Sequence, residues 1–342
     1  MQETEVKKTV SVLDDNGTPI NFGWAKSPFF EFDSSLLRSR PFNISYSDRY
    51  ILVSRNNIVV LELMDDGYLG EMKAELLFLN NNKHITFSNK VPFSLGSFEL
   101  PNENDSRSIK IQHKKNMFNF AAREGGIRII KLDISNMARN LPGIRGQIVL
   151  SPPDEAESLF THMPWKGRRK SFIYSRCSPW FSAEGVIQYG TKEIVFSSGE
   201  GWGILDWNRG VRPRNDLRFW ASGSGKYNNR QTSFCVGFNS ADSSYGTENA
   251  FFIDGKMHKL NQVSFHIPSE RNAQWRFTSN DMRLEMFFNP LQELDENHRL
   301  LFYSLKRRQF FGYFSGRIIL EDDEEFHFDK ILGMTERKKN RL

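Results

Sequence analysis

Residues 249–260 run Asn249-Ala250-Phe251-Phe252-Ile253-Asp254-Gly255-Lys256-Met257-His258-Lys259-Leu260. Asp254-Gly255 tolerates positive φ at both centres of a two-residue turn, so the apolar stretches on either side read as paired strands of a hairpin. Just upstream, Gln231 to Phe238 sets Phe234, Val236 and Phe238 on one face, with Gly237 between them, which is the pattern of a half-buried strand. Downstream, Gln262 to Ile267, Gln274 to Thr278, Leu284 to Phe288, Leu301 to Leu305, Phe310 to Phe314, Arg317 to Glu321 and Phe326 to Ile331 continue the same pattern.

The first half of the chain follows the same rule. Tyr50 to Arg55 and Ile58 to Leu63 flank Asn56-Asn57, and Lys73 to Leu79 leads through Asn80, Asn81 and Asn82 into His84 to Ser88. Arg107 to His113 alternates Ile109 and Ile111 with polar neighbours, and Gly125-Gly126 separates Asn116 to Ala122 from Ile127 to Asp133. Only short stretches such as Asp154 to Phe160, behind Pro152-Pro153, carry a helical expectation. Many short strands with local turns and no βαβ spacing predict an all-β chain of antiparallel barrels or sandwiches. At 342 residues the chain exceeds what one core usually organises, which predicts two domains. The loop-like stretch from Pro152-Pro153 to Pro164 places the division at 1–165 and 166–342, and the Ser/Gly cluster Ser197 to Gly203 sets its latest position near residue 200.

Composition narrows the function. The 30 Phe, 9 Tyr and 7 Trp favour sheets and an aromatic-lined interior. The net charge of +5 is divided between the run Lys166, Arg168, Arg169, Lys170 and the tail Arg337, Lys338, Lys339, Arg341, interleaved with acids such as Glu321 to Glu325. Such divided charge reads as solvated surface and not as a nucleic-acid footprint, and leaves the tail a weak contact with an anionic membrane surface. Two cysteines, Cys177 and Cys235, exclude a disulfide scaffold though not a single bridge, and no Cys/His spacing suits a metal. The polar N-terminus and the lack of any long apolar run predict a cytoplasmic chain without a membrane span.

The densest candidate for chemistry is Gly199 to Gly210 (GEGWGILDWNRG), followed by Pro213 and by Phe219-Trp220-Ala221-Ser222-Gly223-Ser224-Gly225. Trp202, Trp207 and Trp220 offer rigid apolar walls, and glycine lets backbone approach a ligand closely. Between such walls Asp206 would be poorly solvated, with a raised pKa and a proton to donate. The opposing reading is an Asp206–Arg209 bridge that pins a corner of the sheet. Glu248 at the entry to the ENAFF strand is a weaker second acid, or a residue that bonds backbone N–H groups at a turn. His162 and His266 are single histidines that read as structural, Gly201-x-Gly203 lacks the helix of a dinucleotide site, and Ser197-Ser198 lacks a nucleophile elbow.

The order LDWNRGVRP, FWASGSG, TENAFFIDGKMHKL, RRQFFGYFSG resembles a bacterial family known as domain of unknown function 2804. The resemblance runs from Asn21-Phe22-Gly23-Trp24-Ala25 to Leu332-Gly333-Met334-Thr335-Glu336. That family is in turn distantly similar to the double-lipocalin group of carotenoid 1,2-hydratase, tocopherol cyclase and fungal Diels–Alderases. The resemblance implies two lipocalin-like halves and an isoprenoid- or polyketide-like ligand in or between them. In the hydratase an Asp of a Tyr-x-Asp motif is the proton donor, a position that Asp206 resembles, with Ile204 where the Tyr would stand. Asn208 replaces a usual Gly and Arg212 a usual Trp, and Arg214 and Arg218 are charged where aromatics are common, which implies a more polar rim suited to an anionic head group.

Two functions follow. One is binding of a hydrophobic or amphipathic small molecule, lipid- or isoprenoid-like, with Trp202, Trp207 and Trp220 as wall and Arg209 or Arg212 on the head group. The other is a cofactor-free lyase or isomerase of the hydratase or cyclase type, with Asp206 as general acid and aromatic faces stabilising a carbocation. Neither needs a metal or a cofactor, and the environment of Asp206 discriminates between them.

Overall fold

The computed structural model describes residues 3–102, 108–213, 215–270, 273–301 and 303–341, and the side chains of Arg169 and Leu300 are not described. Arg107 and Arg214, both singled out above, lie outside the described residues.

The chain is all-β, folded into two curled antiparallel half-barrel sheets of lipocalin type. Its helical segments among the described residues are four three-residue 3-10 turns, Ser34–Leu36, Pro41–Asn43, Leu79–Asn81 and Glu124–Gly126. The first sheet runs, in spatial order, Lys83–Pro92, Leu69–Phe78, Asn57–Asp65, Ile44–Ser54, Gly201–Val211, Arg168–Tyr189, Ile144–Ser151, Arg128–Ile134, Asn116–Ala122 and Ile109–His113. The second runs Lys256–Lys259, Ala250–Ile253, Arg230–Asn239, Asn215–Tyr227, Glu325–Arg341, Tyr303–Ile319, Leu284–Leu300, Trp275–Ser279 and Val263–His266.

The turns lie where the sequence places them. Ile253 pairs with Lys256 around Asp254 and Gly255, whose φ values of 51° and 80° are those of a type I′ turn. The turn after Ile44–Ser54 is centred on Arg55-Asn56, one residue earlier than expected, with Arg55 at φ 48°. Asp154 to Phe160 is not helical. It is an extended loop ending in the strand Leu159–Trp165, and it is tied down by the Glu157 carboxylate, which accepts from the Met257 N–H at 2.7 Å.

The strands after residue 166 hydrogen-bond into the first sheet, and the chain changes sheets only between Val211 and Asn215. That change falls beyond the 165/166 division and just past residue 200. Gly201–Val211 lies between Ile44–Ser54 and Arg168–Tyr189, and closes the first sheet through its own centre.

Each sheet encloses its own apolar interior. In the second, Phe234, Phe251, Phe277, Phe288, Phe314 and Phe328 pack together. The first core extends outward to meet Trp220, Phe311, Leu332 and Met334 of the second half, so the sheets are joined by apolar contact as well as by charge. The basic C-terminal run is no tail: it ends the strand Glu325–Arg341, whose alternation leaves Arg337, Lys339 and Arg341 exposed and turns Lys338 toward the first sheet. No helix among the described residues is long and apolar enough to cross a membrane.

Candidate functional site

Strand register sets up a transverse row of charges on the outer face of the first sheet. Asp206 lies opposite Arg49, Arg49 opposite Glu62, and Glu62 opposite Lys73. Residues directly opposite in an antiparallel pair point to the same side, so signs alternate across four neighbouring strands on one face. The second sheet answers with Arg218, Lys338, Arg307 and Glu296, opposite one another in the same way.

The two rows meet. Arg218 donates to both oxygens of Asp206 at 3.1 Å and to Glu248 at 2.9 and 3.1 Å. Arg49 joins Asp206 and Glu336, each at 2.7 Å, Arg307 forks onto Glu62 at 2.6 and 2.9 Å, and Lys73 reaches Glu296 at 2.7 Å. Arg49, Glu62, Asp206, Arg307 and Glu336 are all buried. Bidentate guanidinium–carboxylate geometry offsets the desolvation that burying them costs.

These contacts decide the state of Asp206. Burial opposes its ionisation, but the guanidiniums of Arg218 and Arg49 and the amide of Asn208 outweigh it and hold the carboxyl well below the usual range. The raised pKa expected from an apolar cage does not arise. The expected Asp206–Arg209 bridge is absent too, for a geometric reason: residues three apart in a strand point to opposite faces. Arg209 projects into the first half instead, where it meets Asp48 at 2.7 Å, bonds the Pro101 carbonyl at 2.8 and 3.0 Å, and lies 4.3 Å over the Trp207 ring.

The other expected site residues divide between locations. Trp207 packs edge-on against Tyr174 within the first core, where Trp202 is also buried. Trp220 lies beneath the guanidiniums of Arg49 and Arg218, at 4.8 and 5.4 Å, and is 1% exposed. Arg212 donates to Asp66 at 2.7 Å, and Asp66 also accepts from Ser45 and Tyr303. Glu248 bonds Ser175, Arg218 and Asn239 side chains, not turn N–H groups. His162 lies in the strand Leu159–Trp165 among Phe22, Phe30 and Phe172, and His266 is exposed on Thr278.

Between the sheets a cleft opens beside this network. Asp206, Asn208, Arg212, Asp216, Arg218 and Lys338 line it, together with Trp165, Phe172 and Ile173. It offers about 50 Å³, room for a few waters or a head group of similar size, and well short of a lipid-sized pocket. Its polar groups are incompletely satisfied. Among the described residues, Oδ1 of Asp216 and Oδ1 of Asn208 have no hydrogen-bond partner, and Lys338 Nζ has only the Met64 sulfur, at 3.7 Å. Burial and the like charges of Arg212 and Arg307 push the Lys338 ammonium down to about 8, and burial pushes Asp216 up.

Arg218, lining the cleft, is bonded to Glu248, which lines a larger groove of about 470 Å³ on the far side with Met163, Phe238, Val263 and Phe265. Sequence reasoning did not single out Arg49, Glu62, Asp216, Arg307 or Glu336, and it read Lys338 as tail. Their one trace is charge at every second residue, as in Glu71-x-Lys73-x-Glu75, which also describes a solvent-facing strand.

At the other end of the interface Glu71, Glu296 and His298 bring possible metal-ligating atoms within 4.8 Å of one another. Lys73 on Glu296 and Lys90, 2.8 Å from His298 Nδ1, already supply positive charge there.

Two curled antiparallel sheets packed over a shared cleft give the chain a double-lipocalin-like fold. The chain belongs to the family described as domain of unknown function DUF2804, whose model matches residues 3–342. None of the curated proteins matches it. Among solved structures it is similar to CghA with Sch210972, at TM-score 0.51 and 9% identity, covering 88% of this chain and 89% of that one. It is also similar to a protein assigned as AttH from Nitrosomonas europaea, at TM-score 0.52 and 12% identity, covering 90% and 96%. At such identities the likeness is one of fold.

Proposed function

We propose that the protein binds a small amphipathic molecule, with its polar head in the cleft between the sheets and its apolar part along Trp165 and Ile173. The observation that carries this reading is Lys338, a half-buried ammonium that lines the cleft with no carboxylate in ion-pairing range among the described residues. Every other charge of the interface row has such a partner. A charge kept from water without a partner is costly, and an anionic or carbonyl-bearing head group would remove that cost. Arg212 adds a second cation at the same wall, in keeping with the polar rim that its replacement of a usual Trp implies. CghA, whose structure was determined with Sch210972, has the same fold and sets a precedent for a small molecule in it.

This reading moves the binding surface away from Trp202 and Trp207, which line neither cleft nor groove. It gives Asp206 no role as a proton donor, because two guanidiniums keep it ionised. Native mass spectrometry of protein purified from its own host tests the reading. A small molecule retained by wild type and lost from Lys338→Met supports it, and retention of the same molecule by both contradicts it.

A further inference from the structure

A lysine that faces a cleft unpaired can do more than attract an anion. We propose that Lys338 is a nucleophilic residue that condenses with an aldehyde or ketone, and that the cleft accepts a small carbonyl compound carrying a carboxylate. The inference rests on the cleft being the ligand site and goes further in naming a covalent step and a substrate class.

Three features support it. The first is freedom of the amine. Among the described residues Lys338 Nζ hydrogen-bonds only the Met64 thioether, and no carboxylate there holds it in a fixed ion pair. The groups that face it are Arg212 from the link between sheets, Asp216 and Arg218 from Asn215–Tyr227, and Arg307 from Tyr303–Ile319. From the first sheet come Glu62, Asp66 and Arg49, and its own strand adds Glu336. Burial, with the near cations Arg212 and Arg307, favours the neutral amine, which is the form that attacks carbonyl carbon.

The second feature is a proton carrier. Asp216 lines the same cleft, its Oδ1 has no partner among the described residues, and burial favours its protonated form. The third is size. About 50 Å³ suits a fragment of a few non-hydrogen atoms, such as the carbonyl and carboxylate of a 2-oxo acid, with any apolar remainder against Trp165 and Ile173. Arg212, with one nitrogen engaged by Asp66 and the rest of its guanidinium at the cleft wall, is placed to receive the carboxylate.

The step balances without a further reactant. The neutral amine adds to the carbonyl carbon, a C–N bond forms, and the carbonyl electron pair moves to oxygen. That oxygen takes up the proton that the nitrogen gives up, yielding a carbinolamine. Asp216 then protonates the hydroxyl, the C–O bond breaks, water leaves, and the nitrogen pair closes the C=N bond. The resulting iminium returns a proton to Asp216, leaving an imine and one water.

Glyoxylate with cyanoborohydride tests the proposal on the whole protein, because reduction traps any imine as a stable carboxymethyl-lysine that peptide mass spectrometry can locate. Lys338 should be modified on the order of tenfold or more faster than the exposed Lys339 at neutral pH, with a rate that rises with pH through a midpoint near 8 and levels off above it. Modification of Lys338 no faster than Lys339 would overturn it. Lys338→Arg keeps the charge but cannot form the imine, and calorimetry without reductant separates the two readings. Glyoxylate bound by both proteins, with Lys338 of the wild type unlabelled, defeats the covalent step alone. Fast labelling of Lys338 without measurable affinity for glyoxylate upholds the reactive amine and counts against the cleft as a binding site for the carboxylate class.

Discussion

Arg218 donates to both carboxylate oxygens of Asp206 at 3.1 Å, and the two residues belong to different sheets. The most motif-rich segment of the chain is therefore a joint between halves. Trp220 packs beneath the joint, Trp202 and Trp207 lie in the first core, and Asp206 is committed to two arginines.

Such a joint depends strongly on each member. Arg49 sits between Asp206 and Glu336, and Arg49→Met leaves two buried carboxylates each with one cation fewer. Breaking a buried pair from one side costs about 3–5 kcal/mol, because the desolvation of the remaining charge is no longer offset. Urea denaturation should show a loss of that order. An unchanged midpoint would mean that water reaches the network and screens it.

Acid should unfold the protein in two stages. Burial keeps His162 neutral and brings it from 6.5 down to about 3, so its contribution is present above pH 6.5 and is lost as pH falls toward 3. Burial raises Glu62, but Arg307, Lys338 and Arg49 together outweigh it and bring the carboxyl from 4.5 to about 2. Its contribution, about 3 kcal/mol, is thus present above pH 4.5 and lost below. Stability measured against pH should decline gently from 6.5 and steeply from 4.5. In His162→Phe, which suits the surrounding rings, the gentle stage should vanish, and its persistence would assign that stage to another group.

Cys177 and Cys235 are free and buried, in different sheets, and burial together with the neighbouring Cys235 thiol pushes Cys177 well up. Both sulfurs are shielded from solvent and the Cys177 thiolate, its reactive form, is suppressed, so both should resist Ellman's reagent in the native protein and react together on denaturation. Rapid reaction of either without denaturant would show that the halves separate readily.

Much of this architecture is legible in the sequence, because hairpins depend on local chemistry. Asp254-Gly255, Asn80 to Asn82 and Gly125-Gly126 all lie at the expected reversals. Strand length is not legible. Tyr303–Ile319 is one strand that reads as three fragments, because Arg307 and Gln309 are buried where alternation calls for apolar residues. The same cause hides the site. A charge facing another sheet and a charge facing water have the same period, and only the tertiary pairing of Arg307 with Glu62, or Arg218 with Asp206, distinguishes them. Asp206 was found as a position and misread as an environment, since Arg49 and Arg218 become its neighbours only through register and the packing of the sheets.

The central claim is that the cleft between the sheets holds the ligand, and a crystal structure of the protein as purified from its own host tests it most directly. The account predicts density for a small molecule with its polar end between Lys338 and Asp216 and its apolar end against Trp165. The same molecule inside either half, for instance in the pocket of about 300 Å³ bordered by Tyr46, Asp65 and Leu100, with only water in the cleft, would contradict it.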